Sequence, residues 1–255
     1  HYGTYKLRWT ETNGTCSVTA SEITITFYEN PDGASAGTAP VPVCDALNTT
    51  LNGTEHGYLG SPNVNSGTQS WSVFSKPVGS GAVTFGSLNN PVSTVTVTHY
   101  GTYTFRWTET NGTCTVTSDV TVSFYENPDG ASSGTAPVPA CDALNTTLAG
   151  TEHGYLASPN VNAGTQTWVV TQKPDATSTV TFGAITSPTS TITVNHYGTY
   201  KLRWTEANGT CSVTASEITI TFYENPDGAS AGTAPVPVCD ALNTTLNGTE
   251  HGYLG

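Results

Sequence analysis

The sequence predicts an all-β protein made of tandem β-sandwich domains, and three observations lead to that prediction. Charged residues make up only 10% of the 255 residues, whereas Thr, Ser, Gly, Asn and Pro are abundant, a composition that favours short strands over helices. A segment running from His-Tyr-Gly-Thr-Tyr to Asn-Gly-Thr-Cys begins at His1, His99 and His196. Six cysteines recur with a similar spacing. No window has a helical period, so we expect almost no helix.

The copy of this segment that starts at His99 predicts a β-hairpin. Apolar and polar residues alternate over 103–108, which is the period-2 pattern of a half-buried strand. Asn111-Gly112 suits a two-residue type I′ turn. With these two residues as the turn, Trp107 should face Val116, and both strands carry their apolar residues on one face.

The copies alternate between two repeat types, A-B-A. Residues 196–255 match residues 1–60 at 59 of 60 positions, the exception being Thr12 against Ala207. The middle copy is more distant, and its return strand lacks one residue that the A type has. A β-bulge at 20–22 and at 215–217 would keep the apolar residues of the A type facing inward. Because the sequence opens within a repeat, we expect it to be an interior piece of a longer array.

Repeat boundaries are expected at Tyr-Glu-Asn-Pro-Asp-Gly, because Pro removes a ladder donor and Pro-Asp-Gly favours a turn. An opening strand pair, strands near 69–74, 83–85 and 95–97, and the hairpin then give about seven strands per repeat, the number in an immunoglobulin-like sandwich. The predicted segments are a C-terminal hairpin (1–29), two complete repeats (30–126 and 127–224) and the opening strands of another (225–255).

The even number and regular spacing of the cysteines predict one disulfide per domain and an oxidising, extracellular compartment. Two pairings compete, Cys16–Cys44 between repeats and Cys44–Cys114 within one. The hairpin turn is expected near the point where Cys44 enters its first strand, which favours the pairing within each repeat. The predicted bonds are Cys44–Cys114 and Cys141–Cys211, with Cys16 and Cys239 paired outside this segment.

The order of motifs resembles a known group of proteins. Leu-Asn-Thr-Thr-Leu, then Gly-Thr-Gln-Ser-Trp, then the hairpin from His-Tyr-Gly-Thr-Tyr to Asn-Gly-Thr-Cys are similar to the immunoglobulin- or PKD-like repeats of giant cell-surface adhesins of Bacteroidota, which are associated with gliding motility and type IX secretion. The resemblance covers the whole chain. It implies a secreted, surface-displayed stalk or fibre without catalytic residues.

Several functional classes are disfavoured. The net charge of −12, with only seven Lys plus Arg, argues against nucleic acid or an anionic membrane as a partner, and no apolar run of about 18 residues predicts a membrane span. No nucleophile-elbow signal indicates an enzyme. Neither Cys-x-x-Cys nor His-x-x-x-His is present, so no metal site is predicted.

Most conspicuous side chains have structural interpretations. The tryptophans have inward parity and should lie in the core; they are Trp9, Trp71, Trp107, Trp168 and Trp204. Tyr5, Tyr103 and Tyr200 match a tyrosine corner, whose hydroxyl bonds back to the preceding loop. Arg8, Arg106 and Arg203 should pair with acids on the outer face. His56, His153 and His251 are interpreted as loop structure.

Two kinds of modification or binding are considered. Asn-x-Thr sequons, the acceptors of N-glycosylation, occur at Asn13, Asn48, Asn52, Asn111, Asn145, Asn208, Asn243 and Asn247. No cofactor is predicted. Calcium at the linker acids Glu126, Asp129 and Asp142 would offset their charge, although no Asp-x-Asp-x-Asp loop is present.

Three functions remain open. The leading one is a non-catalytic stalk or fibre at a cell surface, whose partners are neighbouring repeats of the chain and a surface ligand. The second is a multi-chain filament held by lateral or strand-exchange contacts between copies. The third, a carbohydrate-binding module, needs outward aromatic residues. The two repeat types differ most over 70–92, where we expect any contact that is specific to one type.

Overall fold

The computed structural model describes residues 1–59, 67–139, 141–156, 164–237 and 239–252. The chain divides into two compact units, one comprising His1–Glu126 with Leu156–Ala163 and the other Asn127–Tyr155 with Gly164–Gly255. The described residues form strands and turns without a helix, so the predicted all-β class is confirmed. The finer division into four segments stays a prediction.

The described residues form eighteen strands, which are distributed over the two units. Those of the first unit are β1 (Gly3–Leu7), β2 (Thr10–Asn13), β3 (Cys16–Thr19), β4 (Ile23–Phe27), β5 (Val43–Cys44), β6 (Asn48–Asn52), β7 (Thr68–Ser75), β8 (Thr84–Phe85), β9 (Val92–Thr96), β10 (Gly101–Asn111) and β11 (Cys114–Tyr125). Those of the second are β12 (Asn145–Thr147), β13 (Thr165–Gln172), β14 (Val180–Phe182), β15 (Thr191–Val194), β16 (Gly198–Asn208), β17 (Cys211–Thr214) and β18 (Ile218–Phe222).

The complete repeat of the first unit is a sandwich of two sheets. One sheet has the order β5-β11-β10-β7 and the other β6-β9-β8. Leu51 and Val95 from the second sheet are buried in one core with Trp107 and Val122 from the first. Seven strands in two sheets around such a core make an immunoglobulin-like sandwich, which confirms the predicted fold class.

The second unit repeats this arrangement. β16 pairs with β13, β17 and β18, and the facing sheet has the order β12-β15-β14. Leu148 and Ile192 from the second sheet share a core with Trp204 and Phe222 from the first. The period of the sequence is therefore also the period of the fold.

The predicted hairpin forms, but its register differs from the prediction. Asn111 pairs with Cys114 and Trp107 pairs with Ser118 rather than Val116, so the two turn residues are Gly112 and Thr113. Asn111 is the last strand residue, because its side chain is turned inward and is only 3% exposed. The first strand gains Asn111 and the return strand loses Thr113, so the register shifts by two residues and the apolar residues stay on the same face.

The extra residue of the A-type return strand lies where the sequence places it. In the second unit the strand is interrupted at 215–217, between β17 and β18, and the pairing with β16 changes by one residue across the interruption. Ala215 donates its N–H to the carbonyl of Trp204 at 2.9 Å. In the B type, β11 runs without interruption, so the expected difference between the repeat types is confirmed.

Two predictions about core side chains are confirmed in the complete repeats. Trp71 and Trp107 are at most 2% exposed, and their ring centroids lie 5.1 Å apart. The Tyr103 hydroxyl donates to the carbonyl of His99 at 2.8 Å, as a tyrosine corner requires, and burial raises the pKa of Tyr103. Tyr5 and Tyr200 make the same bond to His1 and His196.

The core prediction is wrong for Trp9. In the hairpin 1–27, β1 pairs with β4 and β2 with β3, and these are the only strand pairings there among the described residues. The inward face is therefore open, with Trp9 70%, Leu7 50% and Phe27 53% exposed. Parity places these side chains on one face, but burial also requires a second sheet, which is present in the complete repeats.

The predicted disulfides Cys44–Cys114 and Cys141–Cys211 are wrong. Cys44 and Cys211 are each disulfide-bonded, whereas Cys114 and Cys141 are free thiols. The reason is the short parallel pairing of β5 with β11, in which Cys44 lies beside Tyr125. Cys114 begins β11 and Tyr125 ends it, so Cys44 and Cys114 lie about 35 Å apart along the strand, whereas a disulfide needs Cα atoms within about 7 Å.

Candidate functional site

The site with the most developed side-chain chemistry lies where the hairpin 1–27 meets the complete repeat of the first unit. We call it the junction and define it by Tyr28, Glu29, His56, Glu109 and Asn111. Asn111 donates its side-chain amide to the carbonyl of Glu29 at 2.9 Å. The turn at Gly112 lies against Tyr28, whose ring a Cβ at position 112 would overlap. Gly112 also has a φ of 60°, so both space and conformation favour glycine.

Glu109 is a buried carboxylate that holds the junction from the side of the repeat. It is 1% exposed and accepts the N–H of His56 on both oxygens, at 3.0 and 3.1 Å. It also accepts the indole N–H of Trp107 at 2.9 Å. A buried carboxylate is costly unless it is hydrogen-bonded, and these donors satisfy that requirement.

Glu29 is a second buried carboxylate and belongs to the linker. It is 7% exposed and accepts the N–H of Leu59 at 3.0 Å. His56 Nε2 lies 3.3 Å from its other oxygen. The segment 56–59 is therefore fixed between one carboxylate of the linker and one of the hairpin.

The hydrogen bonds of His56 indicate which ring nitrogen carries the proton. The N–H of Gly33 donates to Nδ1 at 3.3 Å, so Nδ1 is an acceptor and the proton lies on Nε2, facing Glu29. The ring packs edge-on against Tyr58 with the centroids 4.8 Å apart. Burial, followed by the charges of Glu109, Glu29 and Glu55, raises the pKa of Tyr58.

The second unit contains the same arrangement. Glu206 accepts the N–H of His153 at 3.0 and 3.2 Å and the indole N–H of Trp204 at 2.7 Å. Gly130 donates to Nδ1 of His153 at 3.2 Å. The arrangement is thus a property of the repeat rather than of one copy.

Sequence reasoning interpreted these histidines as loop structure and missed the junction. The signal that could have found it is the parity of Glu109, which shares the inward face with Tyr103, Phe105 and Trp107. A Glu at an inward strand position, repeated at Glu206, needs buried donors. The identity of those donors depends on the position of a loop 53 residues earlier, and no local pattern reveals it.

The candidate calcium ligands are each engaged in local contacts. Glu126 is buried and accepts the N–H of Leu156 at 2.9 Å. Asp129 lies 3.5 Å from Nδ1 of His153, and Asp142 accepts the N–H of Asn225 at 2.7 Å. Within the described residues no group of three or more His, Cys, Asp or Glu side chains is arranged to hold a metal.

The sequons divide into two groups. Asn111 and Asn208 are 3% exposed, so their side chains are not accessible to a glycosylating enzyme in the folded chain. The remaining acceptors lie at exposed positions: Asn13, Asn48, Asn52, Asn145, Asn243 and Asn247. Their glycosylation stays a prediction.

The outer face of the sandwich differs between the two repeat types within 70–92, the region in which any type-specific contact is expected. In the B type, Phe74 is 57% exposed and the Arg106 guanidinium lies 3.9 Å from its ring centroid. Arg106 also forms a two-bond pair with Asp119, at 2.7 and 2.8 Å, which lowers the pKa of Asp119. In the A type, Thr171 replaces Phe74 and bonds Glu217. One outward aromatic whose ring already contacts Arg106 gives little support to a carbohydrate-binding platform.

The described part of the chain contains no helix with the length and hydropathy needed to cross a bilayer.

Neither a protein family nor a curated protein matches the sequence. Among solved structures, it is similar to extracellular domains 3–5 of Drosophila OTK (TM-score 0.44, 11% identity, covering 87% of this chain and 71% of that one). Murine CEACAM1b gives TM-score 0.44 and 13% identity over 74% of this chain and 98% of that one.

A third similar structure is an endo-fucoidan hydrolase of glycoside hydrolase family 107, with TM-score 0.25 and 13% identity. The match covers 88% of this chain but 34% of the hydrolase, so this chain spans about a third of that enzyme. At these low scores, the fold assignment depends on the strand order and core described above. By that strand order, the chain is a tandem array of immunoglobulin-like sandwiches.

Proposed function

We propose that this chain is a structural repeat region of a long extracellular fibre or adhesin stalk on a bacterial surface, without catalytic activity. The observation that carries the proposal is the junction. It joins a hairpin to the following repeat through buried, hydrogen-bonded side chains rather than through a bare linker. A chain that must hold successive domains in line needs such a connection, since short linkers alone leave domains free to move.

Three further features support the proposal. Near-identical copies in tandem suit a molecule that works through length. The disulfide indicates an oxidising compartment, as expected outside the cell. The buried Glu29 and Glu109 side chains of the junction are used to bond backbone and indole groups. The bacterial surface is supported by the sequence resemblance to adhesin repeats.

A second candidate is a filament held by lateral or strand-exchange contacts between copies. The exposed Phe74 of the B type, which Thr171 replaces in the A type, offers a lateral contact that only one repeat type carries.

Imaging of the native assembly tests the proposal and separates the two candidates. A stalk should be seen by negative-stain or cryo-electron microscopy as a single thread of beads, with one repeat about every 40 Å, the length of β11. Bundled chains that share a lateral contact would reject the stalk in favour of the filament. Specific binding of soluble sugars, lost on Phe74→Ala, would instead support a carbohydrate-binding module.

A further inference from the structure

The positive charges of the chain are concentrated on the outer faces of the hairpins. The chain has 7 Lys plus Arg against 19 Asp plus Glu. Five of the seven cations lie on the outward side of a hairpin, at Lys6, Arg8, Arg106, Lys201 and Arg203. The acids that contact them are Glu22, Asp119 and Glu217. Cations thus outnumber acids on these faces, although the chain as a whole is strongly acidic.

The complete A-type repeat shows how these cations are arranged. Lys201 and Arg203 are alternate residues of β16, whose other parity faces the core. Alternate residues of a strand lie about 6.7 Å apart on one face. Lys201 lies 3.4 Å from Glu217, and Arg203 is exposed. We call this outward side of the A-type hairpin the A face, and it presents two cations next to a single acid.

Hydroxyl groups surround the two cations of the A face. On one side of them Thr199 and Thr221 hydrogen-bond each other across the strands at 3.1 Å. On the other side Thr205 pairs with Thr214. Each of these hydroxyls can both donate and accept a hydrogen bond. The A face therefore combines positive charge with groups that can bond the hydroxyls of a ligand.

The B-type repeat has the same face without the excess charge. Thr104 stands where the A type has Lys201, and Arg106 stands where it has Arg203. Arg106 donates two N–H groups to the two oxygens of Asp119, at 2.7 and 2.8 Å. The B-type face is thus formally neutral, whereas the A face keeps one positive charge in excess.

The hairpin 1–27, which is also of the A type, carries the same excess. Lys6 and Arg8 share Glu22, at 3.2 and 3.4 Å. Their side chains are 66% and 59% exposed, so both can reach a ligand. One acid for two cations is therefore a property of the A type rather than of one copy.

We propose that each A face binds a linear acidic polysaccharide through the carboxylates of its uronate residues. The Arg guanidinium can hold a carboxylate through two parallel hydrogen bonds, and Lys adds a point charge. The neighbouring Thr hydroxyls bond the hydroxyls of the sugar rings. A single A face binds weakly, and repetition of the site along the chain supplies avidity. The proposal rests on the proposed adhesin function and gives its surface ligand a chemical class.

The charge and the side chains of the A face favour this ligand over other polyanions. Single-stranded nucleic acid binds on aromatic side chains that stack its bases, and the outward positions of β13 and β16 carry no Phe, Tyr or Trp. The net charge of −12 acts mainly at a distance, because charges further than about 8 Å are largely screened at physiological ionic strength. The local cations therefore dominate at the A face.

The test compares two double variants with the same change in net charge. Lys6→Thr with Lys201→Thr gives both A faces the residue of the B type. Lys76→Thr with Lys173→Thr removes the two cations that do not lie on a hairpin. Binding of the full chain to immobilised alginate, a polyuronate, is measured in about 0.15 M salt. EDTA is present so that no divalent cation bridges the polymer to acids of the chain.

We expect the chain to bind alginate but not neutral dextran, and the variant at Lys6 and Lys201 to bind alginate about tenfold more weakly. The variant at Lys76 and Lys173 should bind as the parent does. Equal losses from the two variants, or no binding of alginate, would overturn the proposal. Equally tight binding of polyglutamate would also overturn it, in favour of an acidic protein partner. Because imaging of the thread does not depend on a ligand, a failure here leaves the proposed stalk standing.

Discussion

Glu109 illustrates how a single residue can set the geometry of a joint between repeats. It occupies an inward strand position where the neighbouring side chains are aromatic, and it is charged. The cost of burying that charge is offset only when His56 and Trp107 present their N–H groups to it. The loop at His56 is therefore held in one place.

We expect Glu109→Gln to lower the free energy of unfolding by about 2 kcal/mol, because hydrogen bonds to a buried charged group are lost and an amide offers one acceptor oxygen instead of two. Urea denaturation followed by tryptophan fluorescence measures this. Glu55→Gln is the matched control, since Glu55 is exposed and accepts a single bond from Gln69 at 3.0 Å. Equal losses from the two substitutions would contradict the role assigned to Glu109.

Asp175 contributes to the loss of stability of the second unit at acid pH. Hydrogen bonds from the Ser178 hydroxyl first, and then from Thr177, hold the pKa of Asp175 well below its usual 3.8. Because the folded-state pKa is the lower one, the contribution to stability is complete above the unfolded value and is lost as pH falls through the folded one.

Asp175→Asn should therefore give a shallower fall in melting temperature below about pH 4, where the unfolded carboxyl of the parent chain takes up its proton. Thermal melts followed by circular dichroism at a series of acidic pH values measure this slope. The exposed Glu250→Gln serves as the control and should leave the slope as it is. A parallel decline in Asp175→Asn and the parent would rule out the assignment.

The return strands of the two repeat types keep their apolar residues facing the core in different ways. The B-type return strand is continuous, whereas the A type carries one more residue and interrupts the strand so that Ile218 and Ile220 still face the core. The interruption is a register correction, since the side-chain period of a strand is two.

Deleting Ser216 should therefore be tolerated, with a change in unfolding free energy of about 1 kcal/mol or less, because the shortened strand has the B-type length. Deleting Ser118 from β11 should unfold the first unit, because Val120 and Val122 would turn outward. Two-dimensional amide NMR spectra separate these outcomes. A well-dispersed spectrum for the Ser118 deletion, with Val120 and Val122 still protected, would contradict the argument.

The strands and turns also show how much of the structure could be predicted from the sequence. The hairpin, its inward face, the strand count and the extra A-type residue follow from local alternation and were predicted correctly. The register was missed because Asn111 bonds Glu29 instead of occupying the turn. The disulfide was missed because it depends on two residue pairs between β5 and β11, a tertiary contact without a periodic signal.

For the molecule as a whole, the exposure of each tryptophan distinguishes the complete sandwiches from the hairpin 1–27. Trp71, Trp107, Trp168 and Trp204 are at most 2% exposed, and Trp9 is 70% exposed. All five have inward parity, so the difference comes from the covering strands alone. Tryptophan in the same hairpin motif is thus buried in the complete repeats and exposed in the hairpin 1–27.

Trp9→Phe should remove nearly all of the fluorescence that acrylamide quenches, whereas Trp107→Phe should leave the amount of quenchable fluorescence unchanged and lower only the unquenched remainder. Stern–Volmer titrations of the reduced, monomeric chain measure this. If the quenchable fraction persists in Trp9→Phe, the open face of the hairpin 1–27 is closed in solution.

The parallel pairing of β5 with β11 has a mechanical consequence. β5 is the first strand of the repeat 30–126 and β11 is its last, and both point towards the end at Tyr125. Tension applied at residues 30 and 126 draws the two neighbours in opposite directions along their length. Their backbone hydrogen bonds, with that from Asp45 to Tyr125, are then loaded in shear and break together rather than unzipping one by one. The repeat 30–126 accordingly resists stretching at its outermost strands before the load reaches its tryptophan core.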